Sequence, residues 1–237
     1  MPTVFVTGVN RGLGLELARQ FVSRGWLVHG TLRSDSGDLQ GLVDSAGASL
    51  TLHHADMTDP ATLDGIPAAL AGLPIDVLFL SAGTMGSADF ASQGMRVGGL
   101  GNIDYADWAT VIGINVLAQL RLAEALLDNV AASEQKKIVG MSSMLGSMGL
   151  NTVGGLYSYR ASKAAFNAVL KSLAVDLAKR GITVAALHPG WVRTDMGGPE
   201  ATLSVTDSAR GLIDVIETLS EDDTGRFFSY AGEALPW

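Results

Sequence analysis

Thr3-Val4-Phe5-Val6-Thr7-Gly8-Val9-Asn10-Arg11-Gly12-Leu13-Gly14 is the stretch whose reading decides the fold. Its first five residues are a short β-rich run, and a glycine turn spaced G-x-x-x-G-x-G follows at once. Leu13, Leu17, Ala18, Phe21 and Val22 then recur at helical spacing up to Gly25. Strand, glycine turn and helix in succession give such glycines a chemical meaning. With no side chain at its three glycines, the turn lets the backbone of Gly8, Asn10, Arg11, Gly12, Leu13 and Gly14 approach a pyrophosphate, and the helix N-terminus adds its positive end. Glycine turns also serve as plain strand–helix connectors, so the rest of the chain has to supply the context.

Downstream, strand and helix patterns alternate. Leu27–Thr31 reads as a second strand ending in Leu32-Arg33-Ser34, the place where an adenine ribose would lie. No acid stands there to take a 2′-hydroxyl. Arg33, with Arg11 from the glycine turn, instead suits a 2′-phosphate and favours NADPH over NADH. The competing reading is two solvated surface arginines, with Asp35 or Asp38 turned inward. Leu50–His54 reads as a third strand running into Ala55-Asp56-Met57, where Asp56 either faces an adenine amino group or, like Asp59, caps the helix after Pro60. Pro74–Leu80 is a continuous apolar strand ending in the small residues Ser81-Ala82-Gly83, against which a cofactor can lie.

Residues 84–103 carry five glycines and no clean period, which suits the rim of a site. An amphipathic pattern then runs from Asp104 to about Ala131. Asn115 is a polar residue in this apolar stretch; it either stitches backbone together or holds a water. Lys137–Met141 is a fifth strand closed by Ser142-Ser143, and Ile182–Leu187 a sixth, followed by the turn His188-Pro189-Gly190-Trp191-Val192-Arg193-Thr194. Thr206–Leu219 reads as a helix and Gly225–Tyr230 as a seventh strand. The alternation argues for one α/β domain.

Composition narrows the function. The chain has 237 residues, 47% of them apolar, with a formal charge of −8 and no cysteine. This excludes disulfides, thiolate metal sites and a cysteine nucleophile. The acidic balance argues against a nucleic-acid surface. No apolar run reaches the roughly 18 residues that span a bilayer. The N-terminus carries no leader pattern, so the expectation is a cytoplasmic protein without a membrane partner. The histidines His29, His53, His54 and His188 show no metal-ligand spacing and read as structural.

Between Leu156 and Gly181 lies a helical pattern that carries Tyr159 and Lys163 four residues apart, on one face and about 6 Å apart along the axis. An ammonium beside a phenol favours the phenolate, so a lowered tyrosine pKa is expected. Taken alone, the pair is equally a packed ring and a solvated amine.

The ordered set Thr7-Gly8-x-x-x-Gly12-x-Gly14, Asp56, Ser81-Ala82-Gly83, Asn115, Ser143, Tyr159-x-x-x-Lys163 and Pro189-Gly190-x-Val192-x-Thr194 resembles the short-chain dehydrogenase/reductase family over nearly the whole chain. The run Ser142–Ser147 with Tyr157–Lys163, and the close Gly225–Phe228 … Gly232-Glu233 … Pro236-Trp237, look most like its C-factor and sniffer-type carbonyl reductase branch. The resemblance implies a doubly wound, Rossmann-like sheet of seven parallel strands with helices on both faces. It also implies a bound nicotinamide cofactor contacted by the turn residues above and by Pro189, Gly190, Val192 and Thr194. The implied tetrad is Asn115, Ser143, Tyr159 and Lys163. Tyr159 protonates a carbonyl oxygen, Ser143 hydrogen-bonds it, Lys163 tunes the phenol and holds the ribose, and Asn115 positions a water. A homodimer or homotetramer is implied as well.

Two features depart from the family pattern: Ser81 stands where it usually has Asn, and Ser143 precedes Tyr159 by 16 residues, a longer gap than usual. The extra residues are expected to bulge out between Ser147 and Gly155. The substrate pocket is expected from residues 84–103, 144–156 and 190–205, with Met144, Leu145, Met148, Leu150 and Trp191 as apolar contacts for a ketone, aldehyde or quinone. The competing functions are a C-factor-like signalling or scaffold protein that keeps nucleotide binding, and an NAD-dependent alcohol dehydrogenase.

Overall fold

A computed structural model describes residues 1–34, 37–87 and 98–237. Asp35 and the 88–97 part of the expected rim lie outside the described residues. Seven parallel strands form one sheet in the order β3-β2-β1-β4-β5-β6-β7. They are β1 (Thr3–Val6), β2 (Leu27–Leu32), β3 (Leu50–His54), β4 (Val77–Leu80), β5 (Lys137–Met141), β6 (Thr183–His188) and β7 (Arg226–Ser229). The chain winds outward from β1 to β3, then returns to the other side of β1 at β4, and a ligand crevice opens at such a reversal.

Both faces of the sheet are covered, which is why β1, β4 and β5 are unbroken apolar or buried runs. On one face Val4, Val6, Val28, Phe79, Val139 and Leu187 pack against α1 (Gly12–Ser23), α2 (Gly37–Ala46) and the later helix Val205–Thr218. On the other, Phe5, Leu78, Leu80, Ile138 and Val184 pack against Leu63 of α3 (Pro60–Asp64), Ile66 of α4 (Ile66–Leu70) and two longer helical stretches.

The first of these stretches was expected as one helix from Asp104 to about Ala131. It is instead α5 (Tyr105–Ile112), a π-helical turn (Gly113–Leu117), α6 (Ala118–Ala125) and α7 (Leu127–Ala131). The apolar period runs on through the π turn, so sequence pattern does not reveal it, although such turns often mark functional sites. The second stretch is α8 (Tyr157–Leu177), which ends through Gly181 in the left-handed region, φ 65°, as its sequence suggested. Val205–Thr218 is α9, capped by the Ser204 hydroxyl.

Close approach fixes α8 on the sheet. A Cβ on Gly140 of β5 would lie 2.4 Å from Leu170 Cδ1 and 2.8 Å from Phe166 Cε1, so only glycine lets α8 settle this near β5. The outer edge of β7 is covered by the chain's own last residues, through Ser229 N donating to Glu233 O (2.8 Å) and Leu235 N to Phe227 O (2.8 Å). No helix among the described residues is long and apolar enough to cross a membrane.

Candidate active site

A cavity of about 700 Å³ opens at the carboxyl ends of the strands. Its wall runs from the glycine turn past the ends of β2, β3 and β4 to Tyr159 and the turn after β6. Every residue expected to bind cofactor lines it: Gly8, Asn10, Arg11, Gly12, Leu13, Gly14, Arg33, Asp56, Met57, Ser81, Ala82, Gly83, Tyr159, Lys163, Pro189, Gly190, Val192 and Thr194. Met85 and Met196, from the expected pocket segments, line it too, as do Thr31, Ala55, Ile114 and Met141, which were not singled out.

The glycine turn is shaped as a cradle. Gly8 has φ 77°, and a Cβ on Gly14 would stand 2.0 Å from Gly8 O, so the turn closes on itself only if residue 14 has no side chain. The amides of Gly8 and Val9 bind Thr31 O of β2 (3.1 and 2.9 Å), which leaves the N-terminus of α1 directed at the cavity. This backbone cradle, with the positive end of a helix, fits the pyrophosphate of a dinucleotide.

At the far end, the two expected arginines do not act as a pair. Arg11 Nη1 bridges to Asp195 at 2.7 Å, both side chains exposed, and so ties the glycine turn to the segment after β6. Sequence reading missed this because Asp195 is 184 residues away. Arg33 stands by Asp56. The main-chain and hydroxyl bonds from Thr58 hold the Asp56 carboxyl below the usual range, and Arg33 adds to that. Asp59, not Asp56, caps the following helix, by accepting from Ala61 N at 3.0 Å. Asp56 is thereby left on the cavity wall.

Buried amides hold the wall beyond β4. Thr7 Oγ1 accepts from Ser81 N and Ala82 N, each at 2.8 Å, and the Ser81 hydroxyl donates to Thr7 O. Ser81 therefore uses its hydroxyl locally, and an amide from another element, Gln119, meets the same segment. Fully buried on α6, Gln119 donates from Nε2 to Ala82 O (3.0 Å) and Ile114 O (3.1 Å). Asn115 stitches backbone at the wall: Oδ1 accepts from Thr84 N (2.8 Å), and Nδ2 donates to Thr84 O (2.8 Å) and Ser162 Oγ (2.9 Å).

Tyr159 lies in the first turn of α8, just after Leu156, which adopts the left-handed region at φ 49° and is buried. That costly backbone is held by apolar packing, because Leu156, Met85 and Tyr159 form their own cluster with Leu145 against it. The dry surroundings have an electrostatic consequence opposite to the one expected. Burial pushes the Tyr159 phenol up to about 12, with the Ser143 hydroxyl pulling it back. The Lys163 ammonium donates to Met141 O at 2.8 Å and lies 5.7 Å from the ring centroid. Burial likewise lowers Lys163 to about 8. Of the two serines, Ser142 is bound to Asn167 Oδ1, whereas Ser143 faces Tyr159 while accepting from Leu145 N at 3.1 Å.

On the substrate side, Met144, Leu145 and Trp191 line the cavity. Met148 does not: it is 77% exposed on the outer side of the same loop, and Leu150 also stays off the wall, because this loop bulges away after Ser147. Trp191 is pinned by Nε1 donating to Gly197 O at 2.8 Å. Burial holds His188 neutral, its pKa lowered to about 4, and its Nδ1 is buried without a hydrogen-bond partner among the described residues.

The family model for short chain dehydrogenases matches residues 2–202. The chain belongs to that family. The chain is 43% identical over 164 residues to "C-signal" of Myxococcus xanthus, covering 69% of this chain and 93% of that protein. Among solved structures it is similar to the NADPH-bound carbonyl reductase from chicken fatty liver, at TM-score 0.88 and 30% identity over 100% of this chain and 99% of that one. It is also similar to the carbonyl reductase Sniffer of D. melanogaster, at TM-score 0.90 and 30% identity over 100% of both chains.

Proposed function

We propose that this short chain dehydrogenase reduces a ketone, aldehyde or quinone to the alcohol, with NADPH as cofactor. The observation that carries the reading is the continuity of one cavity from the glycine cradle to Tyr159, with Ser143 and Lys163 at the same end. NADPH, when bound, supplies the hydride. Negative charge then builds on the carbonyl oxygen, and preorganised donors lower that barrier. Tyr159 is the proton donor: with its pKa near 12 the phenol is fully protonated at neutral pH. Ser143 hydrogen-bonds the same oxygen. Lys163 is mostly charged below about pH 8 and stabilises the phenolate left after transfer; two of its three N–H donors remain for a ribose. Asn115 contributes by fixing Thr84 at the wall.

Arg33 favours the 2′-phosphate and hence NADPH over NADH. The apolar wall of Met144, Leu145, Met85 and Trp191 suits an uncharged carbonyl compound. Leu117 at the π turn and Val175 on α8 stand exposed on outer faces, which suits the expected homodimer or homotetramer of a cytoplasmic enzyme.

Steady-state oxidation of NADPH with a panel of activated ketones, aldehydes and quinones tests the reading. Turnover is expected, and Tyr159→Phe should lose about 10²-fold or more. The likeness to C-signal gives a signalling or scaffold role a specific footing. Cofactor binding with no turnover of any panel member would overturn the enzymatic reading in its favour.

A further inference from the structure

The substrate-facing turn after β5 is held by two attachments. From α8, Arg160 Nη1 donates to Leu145 O (3.3 Å) and Asn167 Nδ2 to Gly146 O (3.4 Å). Gly146 lies so near that a Cβ on it would stand 2.8 Å from the Lys163 main chain. The second attachment is made by Trp237, which packs in the same apolar cluster as Phe166 and Leu170 of α8. The main-chain oxygen of Trp237 accepts from Ser147 Oγ (3.1 Å) and from Gly149 N (3.3 Å). Ser147 is almost completely buried, and its hydroxyl in turn accepts from Leu150 N at 3.2 Å. Trp237 is itself seated on the sheet, its ring stacked on the buried Phe227 at 5.6 Å and 20° between planes. Residues 233–235 run back along β7 to bring it there.

A surface loop needs no such anchor for its own sake. This loop begins with Met144 and Leu145 on the cavity wall, and Leu145 packs against the cluster that contains Tyr159. Freed at Ser147 and Gly149, the turn would hang from α8 alone, by the two long bonds to Leu145 O (3.3 Å) and Gly146 O (3.4 Å), and Met144–Leu145 would shift with it. We propose that Trp237 is a positioning residue for the substrate wall: seated on Phe227, it holds the 147–150 loop and so sets the gap between Met144–Leu145 and Tyr159, selecting carbonyl substrates by size. This rests on the carbonyl reductase reading of the site. Residues 233–237 are not among the described residues that line the cavity, so cofactor affinity is separable from their effect.

The experiment compares the wild type with a chain ending at Leu235, with Ser147→Ala and with Trp237→Phe. Amide exchange at Gly149 and Leu150, the Kd for NADPH, and KM and kcat for a small ketone (butanone) and a bicyclic one (tetralone) are measured. Loss of one hydrogen bond of ordinary strength corresponds to about a fivefold change in an equilibrium. The chain ending at Leu235 should therefore exchange both amides about tenfold faster and change the ratio of the two KM values about fivefold or more, with the NADPH Kd within about twofold of wild type. Ser147→Ala should move the same quantities in the same direction by less. Trp237→Phe, which keeps the stacked ring and the main-chain oxygen, should behave as wild type. Unchanged exchange in the shortened chain, or faster exchange with an unchanged KM ratio, overturns the proposal. If the wild type turns over neither ketone nor any other carbonyl compound, the underlying reading fails, and this is seen before any variant is made.

Discussion

Replacing Asn115 by Leu separates a structural role from a purely catalytic one. The substitution keeps the volume and removes three hydrogen bonds of 2.8–2.9 Å, two to the main chain of Thr84 and one to Ser162. A buried donor or acceptor left unpaired costs about 1–3 kcal/mol. Thr84 borders the cavity, so water can reach part of what is lost, and the Ser162 hydroxyl still donates to Tyr159 O at 2.8 Å. A destabilisation of about 2–4 kcal/mol follows. For a chain of this length that is a fall in Tm of about 4–16 °C. Thermal unfolding followed by circular dichroism, with a urea titration to check that the slope is unchanged, gives the number. A variant that melts within about 1 °C of wild type yet loses turnover would refute the stitching role and restore the reading of Asn115 as a residue that only holds water.

Arg33→Asp should raise the NADPH Kd by about ten- to a hundredfold, the value of a charged hydrogen bond, while leaving that for NADH nearly unmoved; equal Kd values for both cofactors before and after would remove the basis for choosing NADPH. Gly14→Ala drives a methyl to 2.0 Å from Gly8 O, so the cradle must open, and cofactor affinity measured by calorimetry should fall about tenfold or more. For pH, Lys163 is lowered from 10.5 to about 8, so between these values the unfolded chain holds a proton that the native one has lost, and stability rises with pH. Tyr159 is raised from 10.0 to about 12, so its contribution is complete below pH 10 and is lost as pH climbs towards 12. Urea midpoints from pH 7.5 to 10 should therefore rise more steeply for wild type than for Lys163→Met, and parallel curves would contradict the assignment.

Much of this was legible in the sequence because it is local. β3 and β5 lie at the bounds read from the sequence, α8 gives way to the Gly181 stop, and the glycine turn carries its own geometry in its spacing. Even the order of the cofactor-lining residues follows from strand ends facing one crevice. What escaped are contacts between segments far apart in sequence. Nothing near Arg11 announces Asp195, and nothing near Ser147 announces Trp237. Gln119 looked like any polar position on an amphipathic helix, yet it is buried beside Ser81, where the sequence showed an amide missing. The acidity of Tyr159 was misjudged for a related reason: helical spacing brings Lys163 near, but only the packing of Leu156 and Met85 shows how dry the phenol is, and only Met141 O shows where the ammonium points. Met148 was misplaced because apolar character does not distinguish the inside of a loop from the outside.

β1 is flanked by β2 on one side and by β4 on the other, and β4 begins more than seventy residues after β1. No tight hairpin joins any two strands of this sheet, since parallel neighbours need long crossovers. The pairing of β1 with β4 therefore closes a long loop, whose entropy must be met before the contacts reward it. Until that strand docks, the glycine turn has no Ala82 to rest against, and the early part of the chain emerges from synthesis with half a crevice and one apolar strand edge uncovered. Acquisition of nucleotide affinity should accordingly be one of the last events in folding, and its appearance in a refolding trace marks completion of the central sheet.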